Sequence, residues 1–271
     1  MPELPEVETT ANGIRPYLEG QIIGQLIVRE RQLRWPIPAG LEKSVNGKNV
    51  TKIERKGKYI LIHLDTGGLI IHLGMSGSIR VLRTPEPPGK HDHFDLINKS
   101  GQIVRYRDPR KFGCLLYCSS SLYDHPRLQA LGVEPLTQDF NGKWLYALSK
   151  KKTIPVKTFI MDGRIVVGIG NIYASEALFD AGIDPLRKCS RISLPRYTRL
   201  VESIQKILNQ AIAKGGTTLQ DFVGADGMPG YFEQALAVYG REGKSCIQCM
   251  SSIKRVMISQ RSTFYCPQCQ K

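Results

Sequence analysis

Two Cys-x-x-Cys pairs near the end of the chain constrain its fold more than any other feature. Cys246 and Cys249 are followed, sixteen residues later, by Cys266 and Cys269. Each pair presents two thiolates at one edge of a metal, and two such turns close a tetrahedron. Four sulfur ligands leave no open coordination position, so one Zn2+ is expected in a structural role. The metal supplies folding free energy that so short a segment lacks. Between the pairs, SIKRVMISQRSTFY (residues 252–265) predicts two short strands. From 241 to 271 six basic residues (Arg241, Lys244, Lys254, Arg255, Arg261 and Lys271) face one acid, Glu242. A metal-pinned hairpin of net charge +5 suits a phosphate backbone. The other three of the seven cysteines are Cys114, Cys118 and Cys189. An odd count without a secretion signal argues against a disulfide framework. Cys114 and Cys118 share one strand face and are expected to be buried.

The rest of the chain divides in two. Its 271 residues suit two domains of ordinary size. After a predicted helix over 5–18, short β-branched runs dominate from 22 to 118, LIIHLGMSGSIRVL (residues 69–82) reading as a single one, with turn clusters at Asp65–Gly68 and Asn98–Gly101. Past Pro135 the pattern becomes helical, over 141–149, 171–181 and 197–213, with Asn171 expected as the N-cap of the second helix. The fold class is therefore α+β. The expected division is 1–134, 135–240 and 241–271, the last being the zinc hairpin. Residues 224–230 read as a Gly/Pro loop. A dinucleotide-binding fingerprint is not supported: Gly168-x-Gly170 is followed by bulky Tyr173, and no strand-led βαβ unit surrounds it.

Charge narrows the partner. Lys and Arg total 38 against 24 Asp and Glu, a formal charge of +14, which favours nucleic acid over a small acidic substrate. No apolar run approaches a membrane span, and MPELPEVETT lacks a secretion signal's basic and apolar regions. A cytoplasmic protein is expected.

Pro2-Glu3 admits two readings. Both residue types belong at the start of a helix. Alternatively, removal of Met1 turns Pro2 into a secondary amine, of which roughly a tenth is unprotonated at neutral pH. Such an amine can attack an aldehyde-like carbon to give an iminium, with Glu3 beside it to move protons.

Several segments together carry a resemblance. MPELPEVET, His72-Leu73-Gly74-Met75-Ser76-Gly77, Lys90-His91-Asp92-His93, Asp108-Pro109-Arg110-Lys111-Phe112-Gly113, Gly168-Ile169-Gly170-Asn171-Ile172-Tyr173 and the terminal Phe264-Tyr265-Cys266-Pro267-Gln268-Cys269 occur in order over essentially the whole chain. The chain resembles the bacterial formamidopyrimidine-DNA glycosylases. That resemblance implies an N-terminal antiparallel β-sandwich with a leading helix, then a helical domain with a helix–two-turn–helix and a zinc finger. It implies excision of oxidised purines, 8-oxoguanine and formamidopyrimidines, from double-stranded DNA, followed by strand cleavage through β,δ-elimination. The enzyme so implied is bacterial and nucleoid-associated; a monomer is the default expectation, and neither a membrane partner nor a nucleotide cofactor is expected.

The resemblance also assigns residues. Pro2 matches the nucleophile, Glu3 the general acid/base, Lys58 a proton-transfer lysine, and Arg261 the zinc-hairpin arginine. Arg261 suits phosphate clamping better than proton donation, because a guanidinium holds its proton above pH 12. Met75, Arg110 and Phe112 match residues that fill the hole left by an extruded base. His91, Arg110 and Lys152 match DNA contacts, and His72 and Asn171 are expected to hold phosphates. Residues 224–230 match a lid over the extruded base. The chain departs from the common pattern at Gly163, where many members carry Gln, and at Thr158, where Pro often follows the lysine matched by Lys157. Two other readings stay open: an endonuclease VIII-like enzyme for oxidised pyrimidines, and a zinc-bearing DNA-binding protein without catalysis. An RNA-binding module fits less well, since no RNP-like aromatic strand is evident.

Overall fold

The structure is a computed structural model that describes residues 2–82, 84, 86–216 and 236–271. The expected 224–230 loop lies outside the described residues. The chain forms two compact units, one running to Ala130 and resuming at Ile212, the other comprising Leu131–Ala211 and the C-terminal stretch to Lys271.

The first unit opens with α1 (Leu4–Leu18). Glu3 is its N-cap, and the Glu3 N–H donates to Glu6 Oε2 at 2.8 Å as part of a capping box. Pro5 sits in the first turn, where no intrahelical N–H is missed. Val7, Ala11, Ile14 and Leu18 form the buried stripe. The strands are β1 (Ile23–Val28), β2 (Val50–Lys56), β3 (Tyr59–Leu64), β4 (Gly68–His72), β5 (Ser78–Leu82), β6 (Asp92–Asn98), β7 (Ile103–Arg107) and β8 (Cys114–Cys118). A short helix α2 (Leu41–Val45) joins β1 to β2, and α3 (Pro126–Gln129) follows β8. The strands pair antiparallel in two sheets, ordered β1-β6-β7-β5 and β2-β3-β4-β8.

One core unites these sheets with α1. Ile60, Ile62 and Leu64 of β3, Leu69 and Ile71 of β4, Phe94 and Leu96 of β6, and Val104 and Tyr106 of β7 all contribute. Each large apolar side chain so buried is worth about 1.5–3 kcal/mol. Leu61 and Ile70 point to the opposite face and are buried too, which is why β3 and β4 read as apolar runs rather than alternations. Both expected hairpins form, β3–β4 around 65–68 and β6–β7 around 98–101. The apolar run 69–82 does not form one strand: it breaks after His72 and resumes at Ser78 in the other sheet. Cys114 is buried as expected, but Cys118 is only half-buried. It pairs with Gly68, which has no side chain to cover it.

Sequence patterning misses a charge pair in the β1-β6-β7-β5 sheet. Arg105, buried on β7, donates from Nε and one terminal nitrogen to both carboxylate oxygens of Asp95 at 2.9 Å each. Burial pushes Asp95 up, yet the Arg105 and Arg29 guanidiniums outweigh it and hold the carboxyl below its ordinary range.

The second unit holds α4 (Gly142–Ser149), α5 (Val156–Ile160), α6 (Asn171–Asp180), α7 (Leu194–Ala213), β9 (Lys254–Ile258) and β10 (Arg261–Tyr265). Asn141 caps α4, its side chain accepting from the Trp144 N–H at 3.0 Å. Turns over 161–170 join α5 to α6. Residues Ile172–Phe179 of α6 are buried throughout, whereas α7 buries a stripe that includes Leu200, Ile204, Leu208 and Ala211. Asn171 is not the N-cap of α6: Gly170 is, and Asn171 is the first helical residue, its side chain turned to other partners. β9 and β10 form the expected antiparallel hairpin. Its cysteines Cys246 and Cys266 and Ile253 pack with Val238 and with Phe179 of α6. Gln270 fastens the chain end, donating to Ile183 O at 2.9 Å and accepting from Cys266 N–H at 2.8 Å. No helix among the described residues is long and apolar enough to cross a membrane.

Candidate active site and zinc centre

The four expected zinc ligands converge. The Sγ atoms of Cys246, Cys249, Cys266 and Cys269 all lie within 4.8 Å of one another. Cys246 and Cys269 are 3.8 Å apart, and Cys249 and Cys266 3.4 Å. A tetrahedral zinc 2.3 Å from each sulfur would separate them by about 3.8 Å. The donor set thus fits one structural Zn2+. The His91-Asp92-His93 triplet does not make a second metal site: buried His93 donates its Nε2–H to Asp108 O at 2.7 Å.

In the first unit, Pro2 and Glu3 are buried at the start of α1. Lys58 sits half-buried on the β2–β3 turn. Arg55 ties helix to turn: its Nε donates to Glu8 Oε2 of α1 at 2.7 Å, and Nη1 donates to Gly57 O at 3.1 Å. His72 ends β4 beside Tyr59, their ring centroids 4.8 Å apart. Burial, with Lys58, Arg34 and Arg127 nearby, pushes the imidazole down to about 4. His72 Nδ1 accepts from Gly74 N–H at 2.9 Å, which leaves Nε2 to carry the proton of the neutral ring. His72 can therefore offer a phosphate a neutral hydrogen bond, not a charge.

Beyond β4 the chain turns through Met75, and beyond β7 through Arg110 and Phe112. All three are exposed, Met75 and Phe112 at 41% each. Arg110 lies over the Phe112 ring, 4.6 Å from its centroid. The turns touch: a Cβ built on Gly74 would meet the Phe112 carbonyl carbon at 2.4 Å, so only glycine allows this approach. His91 is half-buried and its carbonyl accepts from the Asp108 N–H at 3.0 Å, which places it beside the Arg110 turn.

In the second unit, one buried lysine joins Asn171 to the hairpin strand β10. Lys157 Nζ donates to Asn171 Oδ1 at 2.6 Å and Thr263 Oγ1 at 2.8 Å, and Asn171 Nδ2 donates to Ser262 O at 2.8 Å. Asn171 is thereby bound to the strand whose first residue is exposed Arg261. Lys152 follows α4 on an exposed turn and does not join the Lys157–Asn171 cluster.

Comparison with known proteins settles the family. The model of the formamidopyrimidine-DNA glycosylase N-terminal domain matches residues 1–115, that of the family's H2TH domain 131–223, and that of the zinc finger found in FPG and IleRS 243–271. The formamidopyrimidine-DNA glycosylase of Marinobacter nauticus is 54% identical over the whole of both chains. The Lactococcus lactis Fpg in complex with N7-benzyl-Fapy-dG DNA is 32% identical, with a TM-score of 0.92 over all of both chains. The same enzyme with abasic-site DNA gives 31% identity and a TM-score of 0.90 over 99% of each chain. The chain belongs to the formamidopyrimidine-DNA glycosylase family. As a member it is a DNA-binding repair glycosylase with one structural zinc.

Within this glycosylase, three supporting residues escape a reading of the sequence. Lys157 stands out there only as the neighbour of Thr158, yet it is 1% exposed and organises Asn171. Glu176 on α6 accepts from the N–H groups of Ala237, Val238 and Tyr239 at 2.7, 3.0 and 2.8 Å, while burial pushes its carboxyl above the ordinary range. Asp108 is fully buried. A buried position of charged type leaves no periodic trace, so no local pattern distinguishes these from surface residues. The two departures from the family pattern are mild. A side chain at Gly163 would meet open space, and Thr158 Oγ1 lies 3.1 Å from Ser259 Oγ at the hairpin tip.

Proposed function

We propose that this glycosylase excises oxidised purines, 8-oxoguanine and formamidopyrimidines, from duplex DNA and then cuts the abasic strand. The damaged nucleotide is extruded, because its sugar carbon cannot be reached within the stack. Once Met1 is removed, the Pro2 amine attacks C1′. A nitrogen–C1′ bond forms as the C1′–base bond breaks, and the base leaves with a proton. Glu3 protonates the sugar oxygen as the ring opens, which yields an iminium. The iminium acidifies C2′–H. Removal of that proton, in which Lys58 takes part, expels the 3′ phosphate, and a second elimination expels the 5′ phosphate. His72, His91, Lys152, Asn171 and Arg261 hold phosphates, while Met75, Arg110 and Phe112 occupy the place of the extruded nucleotide. The protein acts as a monomer on bacterial nucleoid DNA. In its division at 1–134, 135–240 and 241–271, the first part makes and breaks bonds and all three hold phosphates.

One observation carries this reading. Pro2 and Glu3 open a helix that Arg55 ties directly to the Lys58 turn. Helix-starting and catalytic roles are therefore compatible: the capping box fixes the residues whose chemistry is proposed. Borohydride trapping on a duplex with 8-oxoguanine opposite cytosine tests it. A covalent adduct is expected with Met1 removed, and none with Met1 retained or with Pro2→Gly. An adduct that forms equally well with Met1 retained, when the Pro2 nitrogen is an amide, would remove Pro2 as the nucleophile. Adduct on oxidised-pyrimidine duplex alone would favour the endonuclease VIII-like reading.

A further inference from the structure

The turn bearing Met75 and the turn bearing Arg110 and Phe112 share one buried carboxylate. Asp108 Oδ1 accepts from Ser76 Oγ at 2.6 Å and from Arg110 N–H at 3.2 Å. Oδ2 accepts from Gly113 N–H at 2.8 Å and from the Tyr106 hydroxyl at 3.2 Å. Ser76 Oγ also accepts from Arg110 N–H, at 3.2 Å. The Asp108 carbonyl accepts from His93 Nε2 at 2.7 Å and from Lys111 N–H at 3.2 Å. Burial and Asp108 push the Tyr106 phenol well above its usual range, so it remains a donor. The approach is close: a Cβ on Gly113 would lie 1.8 Å from Tyr106 Oη.

This arrangement is asymmetric. Of the groups that donate to the Asp108 carboxylate, Tyr106 comes from the core, whereas Ser76, Arg110 and Gly113 all lie on the two turns. Met75 adjoins Ser76, and Phe112 adjoins Gly113. The three exposed side chains thus stand on one polar joint. A wedge that separates stacked bases meets resistance from the stack, and two turns that yielded independently would be pushed back rather than inserted. We infer that Asp108 and Ser76 are positioning residues that lock Met75, Arg110 and Phe112 into a single body, so that the three enter the duplex together. This inference rests on the hole-filling role proposed above for those three residues.

The test uses the full-length zinc-loaded enzyme with Ser76→Ala, which removes one hydroxyl, and Asp108→Asn, which keeps the size but loses an acceptor facing Gly113. Duplexes carry 8-oxoguanine opposite cytosine or adenine, with 2-aminopurine beside the lesion to report unstacking. A further duplex carries a preformed abasic site. Ser76→Ala is expected to slow single-turnover excision opposite cytosine about tenfold or more, since small misplacement of a positioning group is amplified in rate. The 2-aminopurine rise should slow in parallel, and the ratio of excision rates opposite cytosine and adenine, which a fixed Arg110 facing the opposite base would set, should move toward one. Abasic-strand cleavage, which needs no base extruded, should slow less than about threefold. Equal slowing on lesion and abasic duplexes would reduce Ser76 to general structural support and overturn the inference. So would wild-type unstacking and selectivity in Ser76→Ala while Met75→Ala and Phe112→Ala are impaired. If Met75→Ala and Phe112→Ala themselves unstack and excise normally, the hole-filling reading falls first, and the lock with it.

Discussion

Arg110 sits on, and Arg261 directly follows, a turn with non-glycine residues in left-handed backbone, but the two turns are held by opposite means. Lys111 has φ +55°, and at the hairpin tip Ser259 and Gln260 have φ +48° and +60°. Each such residue costs of order 1 kcal/mol. The sandwich turn rests on a buried carboxylate and a core drawn from both sheets and α1. The hairpin has few buried residues, and its metal supplies what the core lacks. One arginine is held by a network that a single hydroxyl completes, the other by coordination that a single thiolate completes.

The comparison breaks most visibly at the zinc. Cys266→Ser should remove the bound metal and unfold the hairpin, because structural zinc sites contribute about 10 kcal/mol or more of apparent free energy. Zinc per chain, measured by atomic absorption, should fall from one to near zero. Amide exchange should accelerate across 254–265 while 59–64 stays protected. Loss of protection in β3 as well would show the two regions to be one cooperative unit. The converse perturbation is Ile62→Ala in the sandwich core. It should cost about 2–5 kcal/mol in denaturant titration and leave zinc content unchanged.

These differences also explain what the sequence revealed. Cys-x-x-Cys spacing is local, so the zinc centre was legible without any fold. The β3 and β6–β7 runs were legible because apolar content and turn residues are local too. The joint at Asp108 was not, since its partner Ser76 comes from a turn 32 residues away in the chain and no periodicity marks a buried acid. Asn171 shows the reverse error: an Asn before an apolar run signals a cap, but Lys157 and Ser262 claim its side chain. The run 69–82 looked like one strand because β-propensity persists across a turn whose close approach to Phe112 is a tertiary fact.

A smaller effect separates the regions by pH. His72 titrates at about 4 in the folded protein, against roughly 6.5 unfolded. A histidine depressed on folding stabilises fully above its unfolded value, and that stability is lost as pH falls toward the folded value. Between pH 7 and 5 the wild type should therefore lose up to about 2 kcal/mol that His72→Gln retains. Denaturant titrations at the two pH values measure this. Parallel losses in both proteins would show that His72 is not depressed. The hairpin should not share this slope, so exchange over 254–265 should be equally protected in both proteins.

The finest distinction lies in the turns themselves. Gln260→Gly relieves a positive φ while leaving the Ser259–Thr158 hydroxyl contact intact, so it should stabilise the hairpin by about 0.5–1 kcal/mol. Lys111→Gly relieves comparable strain but gives up the ion pair between Lys111 and Glu30, which is partly exposed and worth less than about 1 kcal/mol. Its net effect should lie near zero. Amide exchange at 254–265 for the first variant and thermal unfolding for the second provide the measurements. If Lys111→Gly stabilises as much as Gln260→Gly, the sandwich turn gains nothing from its ion pair. If Gln260→Gly destabilises, the left-handed hairpin tip is held by side-chain contacts of Gln260 rather than tolerated at a cost, and the contrast between the two turns narrows to the zinc alone.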